Sequence, residues 1–156
     1  MASYSFKSVG KSQDEVELEA IKSTTVAYGI KTPLKLSAID GFLEMNYSVE
    51  DQFADNLKNL LLTNWGERLG HYNFGANLRP IATELISSQD DFDTEAIARI
   101  KNAVNKWMPF IDLESFTSKI NFNENKNTGV IAITVVYNIP FLKVANKSIQ
   151  VVLYVI

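Results

Sequence analysis

LLLTNWGERLGHYNFGANLRPIATE, running from Leu60 to Glu84, changes character twice. It begins as the end of an apolar helix, breaks into a polar loop punctuated by Gly66, Gly70 and Gly75, and turns apolar again at Leu78. Upstream, Phe53, Leu57, Leu60 and Leu61 fall at i, i+4, i+7 and i+8, a single helical stripe. Ser48 and Asp51 suit the first turn of that helix, because a hydroxyl can accept from an orphan amide and a carboxylate complements the positive helix end. Asn64-Trp65-Gly66 ends it. A second helix is expected from Asn77, with Pro80 in the first turn, where a missing N–H costs nothing. Leu78, Ile81, Leu85 and Ile86 form its apolar face.

Toward the C-terminus, Ser87–Asp93 reads as a polar, acidic connection. A third helix follows, capped by Asp93 with Glu95 in its first turn. Ile97, Ile100, Val104, Trp107 and Met108 make a continuous face, and Pro109 stops the helix. Ile111–Phe122 alternates as a strand does, but its apolar phase switches between Leu113 and Phe116, which predicts a bulge. Asn123–Gly129 is a turn. Val130–Tyr137 is apolar on both parities and reads as a central strand covered on both faces. Ile139–Lys147, with Pro140, reads as a loop before a last strand, Ile149–Ile156. Toward the N-terminus no helical period is found before residue 48. The pair Asp40-Gly41 between Leu36–Ile39 and Phe42–Met45 signals a hairpin, and the Ser- and Lys-rich, then acidic, start suggests an arm ordered mainly by partners. The expected fold class is α+β. Three helices pack on a small, mainly antiparallel C-terminal sheet, with an N-terminal extended arm and hairpin. Residues 1–28 form the arm and 29–156 the domain.

Composition narrows the function classes. At 156 residues, with 46% hydrophobic and 21% charged residues, the chain suits one globular domain with a real core. No apolar run approaches the ~20 residues of a transmembrane helix, and the N-terminus lacks the apolar core of a signal peptide. The absence of cysteine excludes disulfides and thiolate sites. His71, the single histidine, cannot build a histidine metal site, and Asp90, Asp91 and Asp93 lack the spacing of a calcium loop. No cofactor is expected. A net charge of -3 gives no long-range pull on nucleic acid. The charge is uneven: residues 125–156 hold Lys126, Lys143 and Lys147 and no acid, so the tail carries +3 and the rest -6.

The order of motifs resembles the baseplate wedge family of contractile phage tails, which has relatives in type VI secretion baseplates. Gly29-Ile30-x-x-Pro33, Leu60–Arg68, Asn73-Phe74-Gly75 followed by Leu78-Arg79 and Glu84, Trp107-x-Pro109-x-Ile111, and the two final strands carry the resemblance from about Gly29 onward. Trp65 stands where a proline is usual, and the family's Glu-Pro-Arg box is Met108-Pro109-Phe110, with both charged flanks apolar. The resemblance implies a virion structural protein of the tail baseplate, assembled in the host cytoplasm, and not an enzyme. It implies larger wedge subunits, the tail sheath protein and the tail tube as partners, with neither nucleic acid nor membrane. It also implies a sheath-initiator role through strand exchange by the C-terminal sheet. A type VI secretion baseplate subunit is one alternative. The other is lysozyme-type glycoside hydrolysis, since some family members carry that label. Glu67 and Glu84 are the carboxylate pair near the distinctive loop, but no apolar pocket that would raise a carboxyl pKa is evident around them.

The physical case for partner binding rests on the end of the chain. Ile149, Val151, Val152, Leu153, Tyr154, Val155 and Ile156 form a strand without charge, Pro or Gly, which must be paired, covered or kept for a partner. Trp107, Pro109 and Phe110 form a corner that reads as a core anchor or an aromatic hot spot. Gly66, Glu67, Arg68, Gly75, Arg79 and Glu84 are expected to brace the loop, with Arg68 forked onto a carboxylate such as Glu84.

Overall fold

The computed structural model describes residues 16, 26–37, 41–84, 89–123 and 128–155. The chain divides into two compact units, Met1–Gln52 and Phe53–Ile156. The arm expected over residues 1–28 lies almost wholly outside the described residues.

In the first unit, strands β1 (Gly29–Ile30) and β2 (Met45–Asn46) pair antiparallel. The ribbon extends through amides donated from Lys31 to the Glu44 carbonyl (2.9 Å) and from Glu44 to the Lys35 carbonyl (3.0 Å), and through the bridge between Leu36 and Leu43. Gly41 takes φ +89° in the turn that Asp40-Gly41 signals, while residues 38–40 lie outside the described residues.

The fold class is α+β, as expected. Among the described residues the helices are α1 (Val49–Leu62), α2 (Leu78–Glu84) and α3 (Gln89–Trp107). One antiparallel sheet follows, made of β3 (Asp112–Asn123), β4 (Thr128–Ile139) and β5 (Val144–Val155) in that spatial order. Within the second unit, α2 lies against α3 and β5, and α3 lies against β3. The core gathers Leu57, Leu60 and Leu61 of α1, Leu78 and Ile81 of α2, Phe92, Ile100 and Val104 of α3, and the inward side chains of β4. Leu85 and Ile86, expected on the α2 stripe, lie outside the described residues.

Three elements differ from the sequence reading. Helix α3 begins at Gln89, ahead of the expected Asp93 cap. The cause is Phe92, fully buried one turn ahead of Ala96, which carries the apolar stripe backwards. Asp90 and Asp91 occupy the first turn, where carboxylates favour the helix end, and Asp93 instead accepts the Ser118 hydroxyl of β3. Strand β5 begins at Val144, well before Ile149. Pro140–Leu142 forms a short 3-10 turn, closed by Lys143 in the left-handed region. Asn146 is also left-handed, and its amide donates to Asn138 Oδ1 at 2.7 Å. These polar residues read as loop, yet they make a compact hairpin with a register shift between Tyr137 and Ile139.

The third difference concerns β4. It is central, as expected, but only one of its faces is deeply buried. Ile131, Ile133, Val135, Tyr137 and Ile139 are at most 2% exposed, whereas Val130, Ala132, Thr134, Val136 and Asn138 are half-buried. The predicted bulge in β3 is present: the register shifts between Leu113 and Ser115. Glu114 is the extra residue, and it lets Leu113 and Phe116 both pack against the core despite their odd spacing.

The two faces of β4 predict different costs of truncation. Ile133→Ala is expected to destabilise by ~2–5 kcal/mol, and Thr134→Ala by less than ~1 kcal/mol, both read from urea midpoints of the full chain.

Candidate functional site

Helix α1 ends where the Thr63 amide and hydroxyl both turn back to the Asn59 carbonyl, at 3.1 and 2.6 Å. The loop of residues 63–77 then folds onto itself. Asn64 is its hub. The backbone amide and the side-chain Nδ2 of Asn64 donate to the two oxygens of Glu67 at 2.7 and 2.9 Å. Its Oδ1 accepts the amide of Arg79 at 3.2 Å, satisfying an orphan donor at the start of α2. The loop closes at its base through amides donated from Ala76 to the Leu60 carbonyl (3.0 Å) and from Asn77 to the Thr63 carbonyl (3.3 Å). Asn77, at φ +53°, offers Oδ1 to the Trp65 amide and its carbonyl to Arg99 Nη1 at 2.8 Å.

Gly75 is required here for two reasons. Its φ is +105°, and a Cβ would stand 2.1 Å from the Thr63 carbonyl oxygen. The carbonyl of Gly75 also accepts the Trp65 indole N–H at 3.2 Å. Gly66, at φ +89°, donates its amide to the Tyr72 carbonyl at 2.7 Å. Hydrogen bonds from Asn64, then the nearby positive charge of Arg79, hold the Glu67 carboxyl below its ordinary pKa.

Of the expected braces, Gly66, Glu67 and Gly75 are built into this loop. Arg68 does not fork onto Glu84; among the described residues no ion pair joins them. Its guanidinium lies 4.3 Å from the centre of the Phe74 ring instead. A cation facing a ring quadrupole costs less desolvation than burying a full ion pair. Arg79 joins the network through its backbone amide, and Glu84 is exposed at the end of α2. Asn64, Asn77 and Arg99 escaped sequence reading. The two asparagines flank the glycine-rich loop, a position where such residues commonly bond the backbone.

Rings and cations continue from the loop to the end of α3. Phe74 and His71 each meet Trp107 edge to face, with centres 5.1 and 5.5 Å apart. Lys106 Nζ lies 5.1 Å from the Trp107 ring, and the Arg99 guanidinium 5.8 Å from that of Trp65. Trp65 is 57% exposed, Leu69 90% and Tyr72 68%. A cleft of about 420 Å³ is lined by Trp65, Gly70, His71, Tyr72 and Asn73.

The Trp107–Phe110 corner splits in two. Trp107 is half-buried and faces the loop. Pro109 is exposed. Phe110 joins Phe53 and Phe141 in a separate triad with centres 4.8–5.8 Å apart. On β5 the strand alternates. Val151 and Leu153 are buried in the domain's own core and Ile149 is half-buried, while Val152 and Tyr154 face outward, Tyr154 at 70% exposure. Val155 pairs with Gly129, and Ile156 lies outside the described residues. Among the described residues, strand β5 is an edge of the three-stranded sheet.

A Geobacter sulfurreducens protein, provisionally named a tail lysozyme, matches with a TM-score of 0.52 at 22% identity, over 72% of this chain and 94% of that one. A chain of the anti-feeding prophage baseplate matches with a TM-score of 0.52 at 16% identity, over 86% and 88%. The chain has a baseplate-like fold. No protein-family model matches it, and no curated protein matches it in sequence. Among the described residues no helix is long and apolar enough to cross a membrane.

Two outcomes test the loop. Gly75→Ala is expected to destabilise by on the order of 2–3 kcal/mol through backbone strain and the clash with the Thr63 carbonyl, measured by thermal unfolding with Gly70→Ala as a milder control, since Gly70 shares a positive φ of +77° but has open space around it. Because the Glu67 pKa is lowered in the folded chain, its contribution is present above the unfolded carboxylate value of ~4.3 and is lost as pH falls through the folded value. The Asn64 amide resonance should therefore titrate with Glu67, below pH ~4.3, and stop doing so in Glu67→Gln.

Proposed function

We propose that this chain is a structural component of a contractile-tail baseplate, a wedge subunit that joins larger wedge proteins around the tail tube. The carrying observation is the likeness to the anti-feeding prophage baseplate chain, which extends over nearly the whole of both chains. Two features of the surface support an assembly role. The first unit exposes Val26, Tyr28, Leu34, Leu36 and Phe42 along its ribbon, large apolar side chains of the kind that mark interaction surfaces when they cluster. Strand β5 presents an uncharged edge from Ser148 to Val155, the kind of template that adds a strand from another chain. On this reading β5 starts the sheath by pairing with a sheath strand, and the particle resides in the virion tail.

Glycoside hydrolysis is the second reading, because one similar structure bears a tail-lysozyme name. A general acid at neutral pH needs a raised carboxyl pKa. The Glu67 carboxyl is shifted the other way and is engaged by Asn64 on both oxygens. The chemistry around it suits a brace.

Deleting Ile149–Ile156 would strip Val151 and Leu153 from the core, so point changes are the cleaner test. The double variant Val152→Lys, Tyr154→Lys alters outward side chains alone and places charge beside the edge. Its melting temperature should stay within a few degrees of the parent, roughly the span of 1 kcal/mol for a chain of this size. Its recovery with co-expressed sheath and wedge proteins should fall at least ~tenfold, the loss expected when edge pairing is blocked. Undiminished recovery would remove β5 from the proposal. Cell-wall hydrolysis by the purified chain that disappears in Glu67→Gln would overturn the structural reading in favour of an enzyme.

A further inference from the structure

Three cations gather beside the rings and the carboxylate of the loop. Arg68 lies over Phe74 and Lys106 over Trp107, while Arg79 sits close enough to act on Glu67. Among the described residues none of the three forms an ion pair. Arg99, by contrast, is neutralised by Glu95 at 2.7 Å. Glu67, the described carboxylate that Arg79 acts on, is already held by Asn64. A chain of net charge -3 thus carries a locally basic, ring-lined face. That face adjoins the 420 Å³ cleft through His71, whose ring meets Trp107, and the loop bears the exposed side chains of Trp65, Leu69 and Tyr72. The loop is rigid by its own hydrogen bonds, so docking there costs little ordering entropy.

Its chemical complement is an anionic segment with interleaved apolar side chains, and the sequence holds one. Gln13–Ala20, QDEVELEA, places Asp14, Glu15, Glu17 and Glu19 around Val16 and Leu18. The acidic residues of Gln89–Asp93 serve the start of α3, and Glu50 and Asp51 that of α1. Val16 is exposed.

We propose that the cation–aromatic face of the loop binds the acidic segment Asp14–Glu19 of a second copy of this chain. Carboxylates would approach Arg68, Arg79 and Lys106, and Val16 would enter the cleft beside Trp65 and Tyr72. The two surfaces differ, so the contact is heterologous and propagates from copy to copy as a ring or an open filament. The overall acidity of the chain disfavours a nucleic acid at the same face.

The test uses the purified full-length chain without partners, so its failure leaves the baseplate reading standing. A fluorescein-labelled peptide of residues 13–20 is titrated with the chain at two salt concentrations and followed by anisotropy. Saturable binding that weakens with salt is expected. Lys106→Glu, at an exposed position at the end of α3, should weaken it by roughly three- to tenfold, and Trp65→Ala by roughly tenfold. In sedimentation velocity the parent chain should associate with rising concentration. The variant Glu15→Gln, Glu17→Gln, Glu19→Gln should do so only at roughly tenfold higher concentration, consistent with loss of several exposed charge contacts. The proposal is overturned by any of three results: no saturable peptide binding, binding indifferent to Lys106→Glu and Trp65→Ala, or a chain that stays monomeric at every concentration. Tighter binding of a single-stranded oligonucleotide of matching charge would overturn it equally.

Discussion

Five side chains on one face of β4, Ile131, Ile133, Val135, Tyr137 and Ile139, leave water together when helices cover that face of the sheet. At ~1.5–3 kcal/mol for each large apolar side chain, their burial is worth on the order of 10 kcal/mol, comparable with the net stability of a domain. Much else in the second unit follows from covering that face. Helices α2 and α3 must lie across β5 and β3. The connection between α1 and α2 must then be tight, which the Asn64 hub, the Gly75 close approach and the paired amides at the loop base provide. Bulging at Glu114 keeps Leu113 and Phe116 on the covered side.

The same arrangement leaves specific surfaces uncovered. Among the described residues the sheet has three strands with β5 at its edge, and Ser148, Gln150, Val152 and Tyr154 point away from the core. The loop that holds α1 to α2 spends its polar groups on itself and turns Trp65, Leu69 and Tyr72 outward. Rigid structure beneath exposed apolar residues is the arrangement found at protein–protein hot spots. An assembly component needs such surfaces, and a domain acting alone gains nothing from them.

The helices were legible because their apolar spacing is strong, and the β3 bulge was legible because an odd phase switch has few other meanings. The baseplate likeness of the fold was legible in the order of the motifs from Gly29 onward. Boundaries failed where local chemistry imitates a loop. Asp90 and Asp91 look like a linker but serve a helix N-terminus, and Lys143 and Asn146 look flexible but take left-handed positions in a tight hairpin. The open face of β4 was hidden because Val130, Ala132 and Val136 are apolar although only half-buried. Loop bracing was half legible: the glycines could be anticipated, whereas the choice of Phe74 over Glu84 by Arg68 depends on three-dimensional proximity that spacing does not encode.

Hydrogen exchange along β5 tests the central claim most directly. An edge strand has alternate amides bonded to β4 and alternate amides facing outward. In the isolated chain the outward amides between Ser148 and Val155 should exchange quickly while their neighbours are protected. In the chain assembled with sheath and wedge proteins those same amides should become protected, as main-chain pairing with an added strand requires. Fast exchange of the outward amides in the fully assembled particle would contradict the account.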